Sequence, residues 1–343
     1  MYISLNQKKI KNINYGIEIL RVILSFTVIL NHFYRNRQKY IFLILNHIPT
    51  FFLMSFYFGF TTFSTLNIDK IKNRLERLLI PYISWSIIFW IINNIKLFIH
   101  NKTFTFNRFL YLFKNILFGL LNGHSLIYAY WFHINLIFIT LFYILIIFLF
   151  NHHYLLVLQF LLLISYFFQY SKLNIQIFEY VNYHIKKTYG RLIEVFPNTF
   201  FGFYLCKSNL TLKLKNYKLY YICFCILLFY IINKYKIFTE IKGFYYSGIR
   251  LNINAILYFI IFTLLPFELI KNKNLIKILK YFTSYTGGIY FLHIPVQRFL
   301  SNYIIVVKQS RFIGCIIIYL FSYLICFIGT RLLNKTKVKY LFC

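Results

Sequence analysis

The sequence predicts an all-α, polytopic membrane protein with about ten transmembrane helices, each about twenty residues long. Of its 343 residues, 60% are hydrophobic and 23% are aromatic, while only 13% are charged. A typical soluble domain is about 45–50% apolar and about 25% charged. Apolar runs long enough to cross a hydrocarbon layer of about 30 Å also recur along the chain. Together, composition and run length exclude an ordinary soluble protein with a large core.

The predicted spans follow from the positions of the apolar runs. They are 14–34, 40–63, 78–98, 127–150, 152–169, 191–206, 218–233, 250–269, 283–303 and 312–333. The sequence indicates no internal repeat and no second, soluble domain. We therefore expect residues 1–343 to form one integral-membrane domain.

Two connecting stretches need separate interpretation. The apolar stretch 106–121 is interrupted by Arg108 and Lys114, which favours an interfacial or re-entrant helix over a full span. The stretch 171–190 is the longest polar connection, and we expect it to lie outside the hydrocarbon. Residues before the first span are basic, and no small-residue cleavage site follows that span, so no cleavable signal peptide is expected.

The chain is strongly basic, with a formal net charge of +31 from 38 Lys and Arg against 7 Asp and Glu. The basic residues lie in short connections such as 213–218 and 271–280, where they can attract anionic lipid head groups. Much of the excess also fits a composition rich in Lys, Asn, Ile, Phe and Tyr. Because the basic residues form no separate domain, the charge does not indicate nucleic-acid binding. The six cysteines form no CxxC pair, so neither a zinc site nor any other metal is expected.

Ten spans place both termini on the same side of the membrane. Lys and Arg are almost equally frequent on the two predicted sides, so the positive-inside rule does not decide the orientation. The basic segment before the first span, with Lys8, Lys9 and Lys11, favours cytoplasmic termini.

The first span carries charged and polar residues that a purely lipid-facing helix would not need. Charged groups within a span cost at least about 2.5–3.5 kcal/mol on insertion scales. Arg21 and His32 are eleven residues apart, which is close to three helical turns, so they share one face about 16 Å apart. Glu18 precedes Arg21 by three residues and can pair with it.

Two interpretations of this polar face remain open. In the first, Glu18 and Arg21 reach one membrane interface and His32 lies near the other. In the second, the face lines a cavity in which Arg21 holds an anionic group and Glu18 orients it. His32 then exchanges a proton near neutral pH, because a free imidazole has a pKa of about 6.5.

Further polar residues, within the second span and at the head of the third, raise the same question. Arg74 and Arg77 are one turn apart at the predicted head of the third span, before Pro81. Two guanidinium groups on one helix face suit phosphate oxygens, although anchoring at the interface would also explain them. Ser55 lies within the second span and is a candidate to line a pocket.

The fourth and ninth spans supply three more pocket candidates. Trp131 opens the fourth span, where an aromatic belt at the membrane interface would also explain it. Tyr290 and His293 share a face of the ninth span. An intramembrane histidine is often only a packing residue, but a second histidine elsewhere in the bundle also fits a shared site.

These residues together resemble the integral-membrane acyltransferase type 3 family, which opens with an acidic residue, an arginine and a histidine at the spacing of the first span. The resemblance extends over nearly the whole chain, in the same order. The matching positions are Glu18, Arg21 and His32; the run FFLMSFYF (51–58); Arg74, Arg77 and Pro81; Trp131 and Phe132; and Ile289, Tyr290 and His293. Phe56 replaces the glycine of the family's second span, which puts the close helix contact at that point in doubt. The soluble esterase-like domain of some members has no counterpart in this sequence.

The resemblance implies a function. Family members transfer acyl groups, often acetyl from acetyl-CoA, to sugars of surface polysaccharides and lipopolysaccharide. This implies a multi-pass protein of the bacterial inner membrane, with lipid bilayer, acyl-CoA and surface polysaccharide or a lipid-linked glycan as partners. Two other functions stay open: an exporter of polysaccharide or lipid-linked sugar that uses the same polar path, and a structural partner in an envelope-assembly complex.

The resemblance also implies roles for the candidate residues. Arg74 and Arg77 would bind the phosphates of the acyl donor, and Arg21 would hold pyrophosphate or polarise the thioester carbonyl. His32 would either activate the sugar hydroxyl as a base or carry the acyl group covalently.

Overall fold

A computed structural model describes residues 14–33, 47–101, 131–170, 183–235, 249–265, 272–304, 311–333 and 337–342, with six isolated positions between 107 and 120. Over these residues the regular structure is entirely helical. The α-helices are α1 (Tyr15–Phe33), α2 (His47–Thr65), α3 (Ile68–Asn101), α4 (Trp131–Phe150), α5 (Tyr154–Tyr170), α6 (Tyr183–Lys207), α7 (Leu210–Lys213), α8 (Lys218–Lys234), α9 (Ile249–Leu264), α10 (Lys273–Ser284), α11 (Thr286–Tyr303) and α12 (Arg311–Leu332). Short 3₁₀ helices cover Asn151–His153, Leu214–Tyr217 and Lys337–Leu341.

The predicted all-α membrane fold is confirmed. In the part of the chain that the structure describes, ten helices, all except α7 and α10, have at least 16 residues and coincide with the ten predicted spans. Within the described residues, four stretches are long and apolar enough, by length and composition, to cross a membrane by themselves. They are Tyr15–His32, Ile68–Ile92, Trp131–Gln169 and Phe312–Leu332.

Helix α3 begins ten residues before the predicted start of the third span at residue 78. The Asn67 side chain accepts a hydrogen bond of 3.0 Å from the Lys70 amide and so caps the helix start. At 34 residues, α3 exceeds the roughly twenty residues that a bilayer requires. Arg74 and Arg77 therefore lie on an extension of the helix rather than at its beginning.

Parts of two predicted connections are also helical. The basic stretch 271–280 forms most of α10, which is capped by Asn272 and has both polar and apolar sides. Within the predicted polar connection 171–190, α6 already begins at Tyr183. Residues 171–182 and most of 106–121 lie outside the described part of the chain, so the interfacial helix at 106–121 stays a prediction.

Contacts along the helices show the direction in which they run. Arg21 and His32 of α1 contact Thr286 and His293 of α11, in the same order. The first and ninth spans therefore run parallel, as spans of the same parity must. The bundle end at which α1 begins and α12 ends is called the terminal face below, and the opposite end is called the distal face.

Helices α2 and α6 approach each other closely. A Cβ atom at Gly202 of α6 would overlap the carbonyl oxygen of Leu53 in α2, so only glycine permits this backbone contact. Phe56, which replaces the family's glycine, is fully buried and packs on Phe63 and Tyr143 with ring centroids 5.3 and 4.7 Å apart. Helix α2 thus has a close helix contact, but the glycine belongs to the partner helix.

Candidate functional site

The polar face of α1 lies against α11. Arg21 Nη1 donates to Glu18 Oε2 over 3.4 Å, and Arg21 Nη2 donates to Thr286 Oγ1 over the same distance. The Arg21 and Glu18 side chains are 37% and 19% exposed. Both contacts are long for charge-assisted bonds, so the Arg21 guanidinium is oriented but still accessible to an anionic ligand.

The middle of the same face is closed by α12. Ser25 Oγ donates to the Val22 carbonyl over 2.8 Å and lies 3.3 Å from the hydroxyl of Tyr319. Ser25 and the aromatic ring of Tyr319 are both buried. The polar face of α1 therefore continues between Arg21 and His32 as a hydrogen-bonded contact between two helices.

The distal part of the face brings two histidines together. The rings of His32 on α1 and His293 on α11 have centroids 5.0 Å apart. His293 Nδ1 lies 2.7 Å from the Tyr290 carbonyl and 3.3 Å from the Ile289 carbonyl. His47, at the start of α2, is close enough to His293 to interact with it electrostatically. Sequence reasoning singled out the first two histidines but did not find His47.

The carbonyl contacts of His293 determine its tautomer. A carbonyl oxygen can only accept a hydrogen bond, so Nδ1 carries the proton in neutral His293 and Nε2 carries the lone pair. The side chain is 1% exposed, and Nε2 has no hydrogen-bond partner among the described residues. His293 is thus held by the backbone with an available acceptor atom.

Aromatic side chains connect this histidine pair to α4. The Tyr290 ring lies 5.2 Å from Phe132 and 5.1 Å from His133, and the His133 ring lies 4.0 Å from that of Phe291. All of these side chains are buried. They form an apolar wall beside His293 that limits access of water from this side.

Arg74 of α3 is fixed by contacts with α2. Arg74 Nη2 donates to Ser55 Oγ over 3.0 Å, and the guanidinium carbon lies 5.4 Å from the Phe56 ring and 4.9 Å from the Phe63 ring. A Cβ atom at Gly59 would lie 2.8 Å from Arg74 Nη1, so this glycine leaves room for the guanidinium. The predicted candidates Ser55 and Arg74 are therefore direct partners.

Arg77 does not share this environment. Its side chain is exposed, and its guanidinium carbon lies 5.8 Å from the ring of Tyr340 in the C-terminal 3₁₀ helix. The two predicted phosphate-binding arginines thus contact different elements. Arg74 is directed into the bundle, while Arg77 remains at the surface.

Trp131 lies in a polar region that sequence reasoning missed. The Arg191 guanidinium carbon lies 4.1 Å above the Trp131 ring. Arg191 is 7% exposed and Glu194 is 6% exposed, while Asn198 is fully buried. Asn198 Nδ2 donates to Asn252 Oδ1 of α9 over 2.7 Å. We call Arg191, Glu194 and Asn198 the α6 stripe.

A signal for the α6 stripe was present in the sequence. Its members follow one another at intervals of three and four residues in RLIEVFPN (191–198), which places them on one helix face. The predicted sixth span begins at residue 191, and apolar run length alone gives its first residue, Arg191, no role. The structure instead buries it beside α4.

No candidate metal centre is present among these residues. In the described ranges, no group of three or more His, Cys, Asp or Glu side chains could hold a metal ion. The candidate site instead combines guanidinium groups with a pair of imidazoles inside a helical bundle. Guanidinium groups stabilise phosphate and developing negative charge, and imidazoles transfer protons.

The fold and this site define a polytopic membrane protein with the chemical groups for a group-transfer reaction. The comparisons agree with that class. A family model described as an acyltransferase domain matches residues 14–331. The chain therefore belongs to the acyltransferase type 3 family and is a membrane acyltransferase. No curated protein and no solved structure matches the chain.

Proposed function

We propose that the protein is an O-acyltransferase that moves an acetyl group from acetyl-CoA to a hydroxyl group of a surface polysaccharide or its lipid-linked precursor. The supporting observation is the contact between α1 and α11, in which Arg21 meets Thr286 and His32 meets His293. A cation for the donor and a proton acceptor for the hydroxyl group thus lie on one face of α1.

The donor enters from the terminal face in this proposal. Arg77 is exposed on the first half of α3 and is available to the phosphates of coenzyme A. Arg74, one turn nearer the start of α3 and bonded to Ser55, supplies a second positive charge. Arg21 then holds the pyrophosphate or polarises the thioester carbonyl, and Glu18 keeps its guanidinium oriented.

His32 meets the acceptor in this proposal. As a general base it removes the proton of the sugar hydroxyl, whose oxygen attacks the thioester carbonyl while the coenzyme A thiol leaves. As a covalent carrier it first takes the acyl group and then passes it to the hydroxyl. The aromatic wall with Phe132 and Tyr290 favours either route, because it keeps water away from the acyl group.

The location and extent of the functional unit belong to the same proposal. We infer that the protein lies in a bacterial inner membrane with cytoplasmic termini, so that the terminal face meets acyl-CoA. Residues 1–343 act as one domain. The export alternative gains no support from the family match, and an exporter would not require an acyl donor.

The test is the O-acetyl content of surface glycan, measured by NMR in a deletion strain and in complemented strains. Wild-type protein is expected to restore O-acetylation and His32→Ala is not, while both are present in the membrane in equal amounts. His152→Ala is the matched control, because His152 is an exposed histidine between α4 and α5. Unchanged acetylation on deletion, with altered glycan export, would favour the transport alternative.

A further inference from the structure

His293 lies behind His32 with one nitrogen fixed by the backbone and the other unengaged. Its Nδ1 is 2.7 Å from the Tyr290 carbonyl, and its Nε2 is buried without a hydrogen-bond partner in the described ranges. His32 is less buried than His293, which suits it better for direct contact with a substrate. The two rings are 5.0 Å apart between centroids, and since Nε2 has no partner in the described structure, a proton transfer requires the His32 ring to turn one nitrogen towards it.

We propose that His293 is a positioning and proton-accepting residue, which takes a proton from His32 during acyl transfer and returns it to the leaving thiolate. The inference rests on the proposed function of His32. The Nδ1–H contact supports it because a carbonyl oxygen stabilises the imidazolium that forms when Nε2 takes the proton.

The proton balance holds for both routes that remain open for His32. If His32 acts as a base, its substrate-facing nitrogen takes the hydroxyl proton and its other nitrogen releases one to His293 Nε2. If His32 acts as a nucleophile, acylation of one nitrogen requires the other to lose its proton, and His293 Nε2 accepts it. In each case the thiolate of coenzyme A receives the proton at the end, so the products are an ester and a thiol.

Burial is consistent with a role through His32 rather than through direct substrate contact. His293 is 1% exposed, and Tyr290 packs against it with ring centroids 5.8 Å apart. Among the described residues, the other titratable groups that these contacts place around it are His32 on α1, His47 on α2 and, beyond Tyr290, His133 on α4. None of these is a carboxylate that could neutralise an imidazolium, so the backbone carbonyls have this role.

Two amide substitutions separate the functions of the two nitrogens. His293→Asn retains a donor where Nδ1 lies but removes Nε2. His293→Gln places an amide group near the position of Nε2, where it can accept a hydrogen bond from His32 but cannot take its proton. His152→Gln, at an exposed position, controls for the histidine-to-amide change itself.

The assay is thiol release from acetyl-CoA by purified protein, with a surface-glycan extract as acceptor. Both variants are expected to lower kcat by about ten- to a hundredfold and to leave KM for acetyl-CoA within about twofold. The asparagine variant should be the slower of the two. The acidic limb of the kcat–pH profile should lose steepness, because two coupled imidazoles become one.

Several results would overturn the inference. They are a wild-type kcat in both variants, a raised KM at unchanged kcat, or a lowered kcat with an unchanged pH profile, which indicates a packing role. If neither variant folds, a proton inventory of the wild-type protein decides: two protons in flight give a curved dependence on the D₂O fraction, and a straight line contradicts the relay. Full activity of His32→Ala would instead overturn the proposed function, so the two failures are distinguishable.

Discussion

The polar face of α1 and the α6 stripe resemble each other in sequence but differ in environment. Each has an arginine and a glutamate three residues apart on a membrane-spanning helix. On α1, Arg21 is 37% exposed and its contacts are 3.4 Å long. On α6, Arg191 is 7% exposed and stacks on Trp131 at 4.1 Å. The same residue types therefore provide an accessible site in one region and a packed polar core in the other.

The difference separates two physical roles. An accessible cation can change its partner when a charged ligand arrives, whereas a buried one has been desolvated and must keep its partners. We therefore expect substitutions on α1 to change catalysis while leaving the fold intact, and substitutions around α6 to change stability. The following predictions are ordered from the largest expected effect to the smallest.

The largest effect is expected at His32. His32→Ala should lower the rate of thiol release from acetyl-CoA by about a hundredfold or more, because general base or nucleophilic catalysis is lost. Thermal stability in detergent should be close to that of the wild type. If the variant instead loses activity only in proportion to its loss of folded protein, His32 has a structural role, like the residues of the α6 stripe.

Arg21→Gln is expected to have the next largest effect on catalysis. Loss of the guanidinium should lower kcat/KM for acetyl-CoA by about tenfold to a hundredfold, since charge on the donor is no longer stabilised. Arg21→Lys should recover part of the loss, because a lysine retains the charge but not the planar pair of donors. Steady-state kinetics at several donor concentrations measure both variants, and equal values for glutamine and lysine would contradict a role for the charge.

The close contact between α2 and α6 is tested by a substitution at Gly202. Gly202→Ala should lower the free energy of unfolding by about 1–3 kcal/mol, because the added methyl group overlaps a backbone atom. Gly329→Ala is the matched control, since the three atoms nearest to its Cβ belong to the Phe342 side chain, which can move, and not to the backbone. The two variants are compared by their melting temperatures in the same detergent. Equal decreases in melting temperature would show that the close approach of α2 and α6 is not specially constrained.

The smallest effect is expected at Glu18. Glu18→Gln removes a partly exposed ion pair of 3.4 Å, and such pairs contribute about 0–1 kcal/mol. We expect a change in kcat/KM for acetyl-CoA of no more than a few-fold, measured beside Arg21→Gln. A loss as large as that of Arg21→Gln would mean that the carboxylate itself takes part in the reaction.

Much of the α1 face was predictable because it depends on local geometry. Eleven residues of helix place Arg21 and His32 on one side whatever surrounds them. Their partners Thr286 and His293 come from another helix, so only the fold shows the contacts. For the same reason, the pairing of Arg74 with Ser55 and the burial of Arg191 could not be derived from spacing.

The ten spans were predictable because apolar length alone determines them. The helix bounds were less predictable. The capping asparagines at positions 67 and 272 extend helical structure into basic stretches, which hydropathy assigns to connections. Capping depends on one side chain and the next two or three amides, so hydropathy averaged over a long window does not detect it.

The anchor of His293 has a consequence for genetics. Since its Nδ1 is bonded to main-chain carbonyls, replacing the side chain of Tyr290 or Ile289 leaves the acceptor atoms in place. A saturation mutagenesis screen should therefore find that His293 does not tolerate substitution. It should not find a second residue whose substitution gives the same phenotype by breaking that hydrogen bond. Orientation that depends on the backbone is invisible to paired-mutation and co-variation methods, which detect only side chains.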